Sequence, residues 1–166
     1  VPKLMDYKGW ALFMDCDMLC RSDIAKLWEL RDINKSLLCV KHDHSPKTKT
    51  KFLGEKQTKY PKKNWSSLML FNCEKCKNLT VDFVNRASGL ELHQFKWLES
   101  EEEIGEIDEF GWNFLLDVQE LPRSKEKIDQ LSLVHWTLGG PWFKNGQKLS
   151  VLDKEWFLAR DRAMKF

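Results

Sequence analysis

Short apolar runs alternate with longer polar stretches along this chain, a pattern that is typical of a mixed α/β domain. Apolar runs without interruption predict buried strands at residues 10–14, 36–41, 65–71 and 131–134. Apolar residues at helical spacing predict helices at residues 23–30, 81–87, 91–98 and 150–166. Ser22 and Thr80 are the predicted N-caps of the first two helices, since a hydroxyl group can accept a hydrogen bond from the first turn.

The first apolar run, residues 10–14, ends in two carboxylates, Asp15 and Asp17, that are one residue apart. In open α/β sheets, ligands bind beyond the carboxyl ends of the strands. Two acidic side chains at such a place repel each other unless a cation or a proton lies between them. Because Mg²⁺ and Mn²⁺ prefer such oxygen ligands and often share them with substrate phosphates, the pattern predicts a metal–phosphate site at this strand end.

A second candidate ligand, His135, directly follows the apolar run at residues 131–134. If the ends of the two strands face one crevice, then Asp15, Asp17 and His135 offer two oxygens and one nitrogen to a single divalent ion. Such a mixed set suits Mn²⁺ at least as well as Mg²⁺. A histidine in this position can also be purely structural, but the acidic pair favours the interpretation as a ligand.

The segment after His135 has the composition of a ligand-binding loop. Gly139 and Gly140 lack side chains and would let the backbone approach an anion closely. Pro141 would stiffen the loop, and Trp142 would form one of its walls. These features are compatible with a substrate phosphate beside the proposed metal.

The overall composition limits the classes of protein that the chain can represent. With 166 residues, 42% of them hydrophobic, we expect one folded domain over residues 1–166. The net charge of +2 gives no general attraction for nucleic acid. Lysines concentrate in residues 42–63, which we interpret as an exposed loop rather than a nucleic-acid patch. No apolar run reaches the length of a membrane span.

The five cysteines are odd in number and unevenly spaced, which argues against a disulfide framework and favours a reducing, cytoplasmic location. Cys73 and Cys76 form a C-x-x-C pair, which we interpret as two ordinary thiols at a helix start. The alternative is a zinc site. A structural zinc ion needs four ligands, so the two cysteines would require His42 and His44 to complete the set.

Blocks of the sequence in a fixed order resemble a known family. They are GWALFMDCDM at 9–18, KYPKKNWSSLMLFN at 59–72, WNFL at 112–115 and LVHWTLGGPWF at 133–143. Together they are similar to the metal-dependent nucleotide-sugar glycosyltransferases of GT-A fold, especially to bacterial and viral relatives of glycosyltransferase family 8. The resemblance implies a GT-A-like, Rossmann-like α/β domain with a mixed sheet flanked by helices. In the family the first strands would precede Val1, so we expect a domain that lacks them.

The resemblance also implies a function, the transfer of a sugar from a nucleotide-diphosphate sugar donor to a carbohydrate or another hydroxyl acceptor. Asp15 and Asp17 match the residues that hold the metal and the ribose–diphosphate, with Asp17 the principal ligand. His135 matches the histidine that completes the metal site. The residues that match the walls around donor sugar and acceptor are Ser66, Ser67, Asn72, Trp112 and Asn113. Where the family has a lysine before Pro-Trp, this chain has Gly140, so Lys144 or a loop lysine would have to neutralise the diphosphate.

The sequence leaves the catalytic base and two alternative functions open. An inverting reaction needs a base, and the candidates near the third block are Asp108, Glu109 and Asp117. Aspartate-nucleophile phosphatases also place D-x-D after an apolar strand, with the first aspartate as the nucleophile. A non-catalytic, transferase-like binding fragment is the second alternative.

Overall fold

We describe a computed structural model of the chain, which covers residues 1–43, 60–108, 110–143 and 150–165. Its strands are β1 (Trp10–Met14), β2 (Met18–Cys20), β3 (Leu37–Val40), β4 (Leu68–Asn72), β5 (Ile104–Ile107), β6 (Phe114–Leu115) and β7 (Leu133–His135). Its α-helices are α1 (Ile24–Trp28), α2 (Val81–Arg86), α3 (Gly89–His93), α4 (Lys125–Asp129) and α5 (Val151–Ala163). Most of the predicted lysine-rich loop, residues 44–59, lies outside the described residues. Within them, no helix has the length and apolarity that crossing a membrane requires.

The larger sheet contains β1, β4, β3 and β5 in that order. β4 is antiparallel to both neighbours, whereas β3 and β5 are parallel, so the sheet is mixed as predicted. Along β3, Leu38 and Val40 pack into the core on one face, and Leu37 and Cys39 pack into the core on the other. Because both faces of the sheet are covered, the central strand β3 is apolar and buried at every position.

A smaller sheet contains β2, β7 and β6 in that order. β2 and β7 are antiparallel, with Met18 opposite His135, and β6 and β7 are parallel. The sequence pattern did not predict β2, because a strand as short as Met18–Cys20 is hard to distinguish from a loop. This strand leads the chain from the first sheet into the second immediately after Asp17.

The first helix is capped by Asp23 rather than by the predicted Ser22. The Asp23 side chain accepts a hydrogen bond from the Ala25 N–H over 2.9 Å, whereas the Ser22 N–H donates to the Ser132 carbonyl. Ser22 is thus still tied to the strand region, and the helix begins one residue later. The predicted cap of α2, Thr80, is confirmed.

Residues 91–98 do not form the single helix that was predicted. α3 ends at His93, and Phe95 has a left-handed backbone with φ of 56°. The resulting turn brings Phe95 and Trp97 into the core, where both are buried. The apolar spacing therefore identified a core segment correctly but assigned it the wrong backbone conformation.

The predicted strand at 65–71 begins only at Leu68, because Trp65–Ser67 form a 3₁₀ turn. Asn64 starts this turn with a left-handed backbone, φ 67°, and its carbonyl accepts a hydrogen bond from the Ser67 hydroxyl over 2.6 Å. The last predicted strand extends one residue further than expected and includes His135.

Tryptophan side chains hold α5 against the smaller sheet. The Trp136 indole N–H donates to Asp153 Oδ1 over 2.8 Å. The ring centroids of Trp142 and Trp156 lie 5.0 Å apart. Asp153 also forms a capping box with Ser150 at the start of α5. Because Trp136 directly follows His135, these contacts fix the end of β7.

Candidate metal centre

The link between β1 and β2 carries Asp15 and Asp17 and is bonded to both sheets. The Asp15 N–H donates to the Ser67 carbonyl over 2.9 Å, and the Asp17 carbonyl accepts from the Trp136 N–H over 3.0 Å. The β2–β7 register then places the side chain of His135 beside the two carboxylates. Backbone hydrogen bonds alone thus fix the positions of Asp15 and Asp17.

Asp15, Asp17 and His135 form one cluster, as the sequence analysis predicted. His135 Nε2 lies 3.2 Å from Asp17 Oδ1 and 4.0 Å from Asp15 Oδ2. One ligand atom from each residue lies within 4.8 Å of the other two. The imidazole is 4% exposed, whereas the Asp15 and Asp17 side chains are 43% and 32% exposed. The histidine therefore forms the buried end of the cluster, and the carboxylates form its open end.

A chain of hydrogen bonds behind His135 fixes the orientation of its ring. The Ser67 hydroxyl donates to the Asn64 carbonyl, so its oxygen accepts the hydrogen bond from the Asn113 amide N–H over 2.9 Å. The Asn113 amide oxygen consequently faces His135 Nδ1, 2.9 Å away. Since that oxygen only accepts, Nδ1 carries the proton, and Nε2 points toward the carboxylates. Histidines that bind metals are usually held in this way.

The residues of the cluster fit a hard divalent cation. Asp17 Oδ1 is buried and, among the described residues, has no neighbouring hydrogen-bond donor other than the imidazole. Because Nδ1 carries a proton, Nε2 is the nitrogen that can offer a lone pair to a cation shared with Asp17 Oδ1. A cation between them would satisfy both, and two oxygens with one nitrogen form a donor set that suits Mn²⁺ or Mg²⁺.

Electrostatics distinguishes the two carboxylates. Burial raises the pKa of Asp15 above its ordinary value, and Asp17 adds to this effect against the opposing influence of His135. Burial also acts to raise the pKa of Asp17, but the hydrogen bond and the charge of His135 outweigh it, so this pKa is lowered. Asp17 is therefore the carboxylate of the pair that the fold favours in its ionised form.

Asp117, one of the three predicted base candidates, interacts electrostatically with the cluster. Burial raises the pKa of Asp117. The charge of His135 lowers this pKa, whereas the charge of Asp17 raises it further. Its Oδ2 accepts a hydrogen bond from the Leu138 N–H over 3.1 Å, which ties it to the loop after β7.

Asp108 instead organises a local turn. It is exposed, and its Oδ2 and Oδ1 accept hydrogen bonds from the backbone N–H groups of Gly111 and Phe110. The third candidate, Glu109, lies outside the described residues.

Several residues that were expected to form walls around the substrate are buried elsewhere. Ser67 and Asn113 lie behind His135 and have almost no exposed surface. Trp112 is 7% exposed and packs in the core beside the large sheet. Asn72 pairs with Trp10 at the end of β1 that is opposite to Asp15, so the structure does not bring it to the cluster.

Ser66 keeps a half-buried position near Asp15. Its hydroxyl shares a 2.7 Å hydrogen bond with His93 Nδ1. No local sequence pattern indicated this contact, because Ser66 and His93 lie 27 residues apart.

The glycines after His135 serve the packing of this loop. Gly139 has a left-handed backbone with φ of 115°. A Cβ atom at Gly140 would lie 2.1 Å from the ring of Trp142, so the missing side chain accommodates the indole rather than an anion. Trp142 in turn packs against Trp136 and Trp156. Lys144, the expected substitute for the family's lysine, lies outside the described residues.

The C-x-x-C pair consists of two buried free thiols, as predicted. The Cys76 thiol donates to the Ser36 carbonyl over 3.1 Å, and burial raises the pKa of Cys76 to about 12. Within the described part of the chain, the one group suited to a metal is Asp15, Asp17 and His135. His44, a member of the alternative zinc site, is not described.

The fold belongs to the class found in GT-A-like glycosyltransferases. The glycosyltransferase GlyE of Streptococcus pneumoniae TIGR4 matches 95% of this chain with a TM-score of 0.55 and 12% identity, over 41% of its own length. An active-site mutant of LgtC matches 96% of the chain with a TM-score of 0.55 and 14% identity, over 65% of its length. At these identities the likeness concerns the fold, and it confirms the predicted GT-A-like architecture.

A closer sequence relative comes from a plant. "Protein CDI" of Arabidopsis thaliana is 49% identical to this chain over 144 residues, which are 86% of the chain and 54% of the relative. The chain thus spans about half the length of this relative. No family model matches the chain.

Proposed function

We propose that this chain carries the metal-binding part of a metal-dependent glycosyltransferase, which moves a sugar from a nucleoside-diphosphate donor to an acceptor hydroxyl. The observation that supports this most directly is the cluster of Asp15, Asp17 and His135 in a glycosyltransferase-like fold. Asp17 and His135 would hold a Mn²⁺ or Mg²⁺ ion, and Asp15 would complete the set. When bound, the ion supplies Lewis-acid stabilisation of the diphosphate that leaves.

The residues of the chain have separate tasks in this proposal. Asp15 and Asp17 stay at the open end of the cluster, where the donor diphosphate can reach them, while His135 is held from behind by Asn113. During transfer, the bond from the anomeric carbon to the phosphate oxygen breaks, and a bond to the acceptor oxygen forms. In an inverting reaction the acceptor proton passes to a carboxylate base, and of the two described candidates Asp117 is the one that interacts electrostatically with the cluster.

The test measures Mn²⁺-dependent hydrolysis of UDP- and GDP-sugars by the full-length protein and by two variants. We expect Asp17→Asn to lower the rate by about 10²–10³-fold, the range for loss of one electrostatic group. Asp82→Asn, on the exposed surface of α2, is the matched control and should leave the rate unchanged. Equal rates in both variants would refute the metal assignment.

The phosphatase alternative predicts turnover of p-nitrophenyl phosphate, with Asp15 as the nucleophile. The partner that the described structure gives Asp15 and Asp17 is an imidazole, which suits metal binding. We expect no turnover of this ester. The same preparation, titrated calorimetrically with Mn²⁺ and a nucleoside diphosphate, also distinguishes a binding fragment, which would bind both without hydrolysing a donor.

A further inference from the structure

A largely apolar cavity of about 370 Å³ lies next to the metal cluster and is not needed for metal binding. Its volume falls within the usual range for small-molecule sites. Four aromatic side chains, Phe13, Phe71, Phe95 and Trp97, line it. The other apolar residues that line it are Val1, Met69, Leu79, Val84 and Leu92. The cavity therefore lies on one face of the large sheet.

The polar residues that line the cavity lie side by side. They are Asp15, Ser66 and His93. Ser66 shares its 2.7 Å hydrogen bond with His93, and its neighbour Ser67 accepts the Asp15 N–H through its carbonyl. Because these groups are contiguous, the cavity has one polar end, and that end includes a residue of the metal cluster.

The strand geometry explains why the apolar part leads to Asp15. Phe13 precedes Asp15 by two positions, and it packs with Phe71 against the same face of the large sheet. Met69 lies opposite Phe13 in the β1–β4 register and also lines the cavity. The floor is consequently a continuous apolar surface that ends at the carboxylate.

We infer that this cavity is the acceptor subsite for an aryl alcohol, whose flat apolar body packs against the rings while its hydroxyl lies at the polar end beside Asp15. The inference rests on the proposed glycosyltransferase function. A free sugar fits poorly, because most of its hydroxyl groups would face apolar walls without a hydrogen-bond partner. Aromatic rings pack favourably on an aromatic body, in offset or edge-to-face geometry.

The test uses 4-methylumbelliferone, a fluorescent aryl alcohol, and the full-length protein loaded with Mn²⁺. Val84→Trp fills the cavity from α2, whereas Val81→Trp places the same side chain on the same helix, at an exposed position that does not line the cavity. We expect Val84→Trp to raise the Kd for the probe by at least about tenfold, or roughly 1.4 kcal/mol. Val81→Trp should leave the Kd within about twofold of the wild type, a difference that is small on the same scale. 4-Methylcoumarin, which lacks the hydroxyl group, should bind more weakly than the probe.

Further measurements separate the possible failures. Circular dichroism of both variants checks that they are folded. Mn²⁺-dependent donor hydrolysis should be the same in Val81→Trp as in the wild type, since Val81 lines neither the cavity nor the metal cluster. If hydrolysis persists but the probe does not bind, or binds both variants equally, the acceptor subsite is wrong and the proposed function stands. Displacement of the probe by millimolar glucose would overturn the aryl preference. If the wild type hydrolyses no donor, the proposed function fails, and the acceptor assignment fails with it.

Discussion

At the scale of single residues, the cluster depends on buried side chains that lie behind His135. Asn113 has a left-handed backbone, φ 55°, and is fully buried, which is an unusual place for a polar side chain. Its amide connects Ser67 to His135 and thereby fixes which imidazole nitrogen carries the proton. A buried polar group is stable only when it is hydrogen-bonded. This network therefore stabilises the fold, and it also orients the imidazole of His135.

Two substitutions of Asn113 separate these roles. Asn113→Asp keeps an acceptor for His135 Nδ1, whereas Asn113→Gly removes the acceptor and still tolerates the left-handed backbone. We expect Asn113→Gly to weaken Mn²⁺ binding by about 10–100-fold, the usual range for an outer-shell partner, and Asn113→Asp to retain most of the affinity. Nitrogen-15 NMR of the imidazole checks the tautomer directly. An unchanged tautomer in Asn113→Gly would contradict this role.

The opposite pKa shifts of Asp15 and Asp17 predict opposite effects on stability in the metal-free protein. The pKa of Asp15 is raised in the folded protein above the value of 3.8 expected for the unfolded chain. The protein therefore loses stability as the pH rises from 3.8 through the higher folded pKa, because Asp15 then has to ionise in an unfavourable environment. The pKa of Asp17 is lowered, so its contribution is present above pH 3.8 and is lost as the pH falls through the folded value.

At pH 7, Asp15→Asn should therefore raise the free energy of unfolding, and Asp17→Asn should lower it. Each change should be at most about 1 kcal/mol, because both carboxylates are partly solvated. Urea unfolding in the presence of a chelator measures the difference. Both variants should lose Mn²⁺ binding, and changes of the same sign would disprove the electrostatic assignment.

At the scale of secondary structure, the loop after β7 is positioned by packing on α5. Trp142 covers Gly140 and contacts Trp156, while Trp136 is bonded to Asp153. Arg21 of the segment after β2 also reaches α5, with its Nε 2.7 Å from Glu155 Oε2. The helix thus supports the small sheet.

Gly140→Ala tests this packing. The new Cβ atom would overlap the Trp142 ring, and we expect a loss of about 1–3 kcal/mol in the free energy of unfolding, typical of overpacking. Gly89→Ala is the matched control, because a Cβ atom there meets nothing within 4 Å in α3. It should be neutral or stabilise by up to about 1 kcal/mol. Thermal and urea unfolding of the two variants would show equal stabilities if Trp142 did not occupy this position.

At the scale of the whole molecule, the cluster lies where the two sheets meet. Asp15 directly follows β1 of the large sheet, and Asp17 directly precedes β2 of the small sheet. His135 is the last residue of β7, the strand that pairs with β2. A metal ion held by all three residues would connect the sheets. Because the unfolded chain does not assemble these ligands, the ion binds the folded state selectively.

Metal binding should therefore raise the thermal stability of the whole protein. At a Mn²⁺ concentration one hundred times the Kd, the expected gain is about 2.7 kcal/mol. Differential scanning calorimetry measures the shift in Tm, and calcium-free buffers with and without a chelator provide the reference. The shift should vanish in Asp17→Asn and persist in Asp82→Asn, and a shift of equal size in both would place the ion elsewhere.

The sequence by itself determined the α/β class, the strand that leads to Asp15, the cap of α2 and the grouping of Asp15, Asp17 and His135. These features depend on local periodicity and on the chemistry of side chains at strand ends, which short stretches of sequence encode. The resemblance of its blocks to a family also indicated the fold that the comparisons confirm.

Only the tertiary structure decided the rest. Asn113 and Ser67 changed from expected substrate walls to supports of His135, and Asn72 proved to lie at the opposite end of its strand. The cavity beside Asp15 could not be predicted from the sequence either, because the residues that line it, such as Phe13, Phe71 and Trp97, are far apart along the chain. Burial, register and hydrogen-bond partners depend on which segments meet in space, and periodicity along the chain carries no information about that.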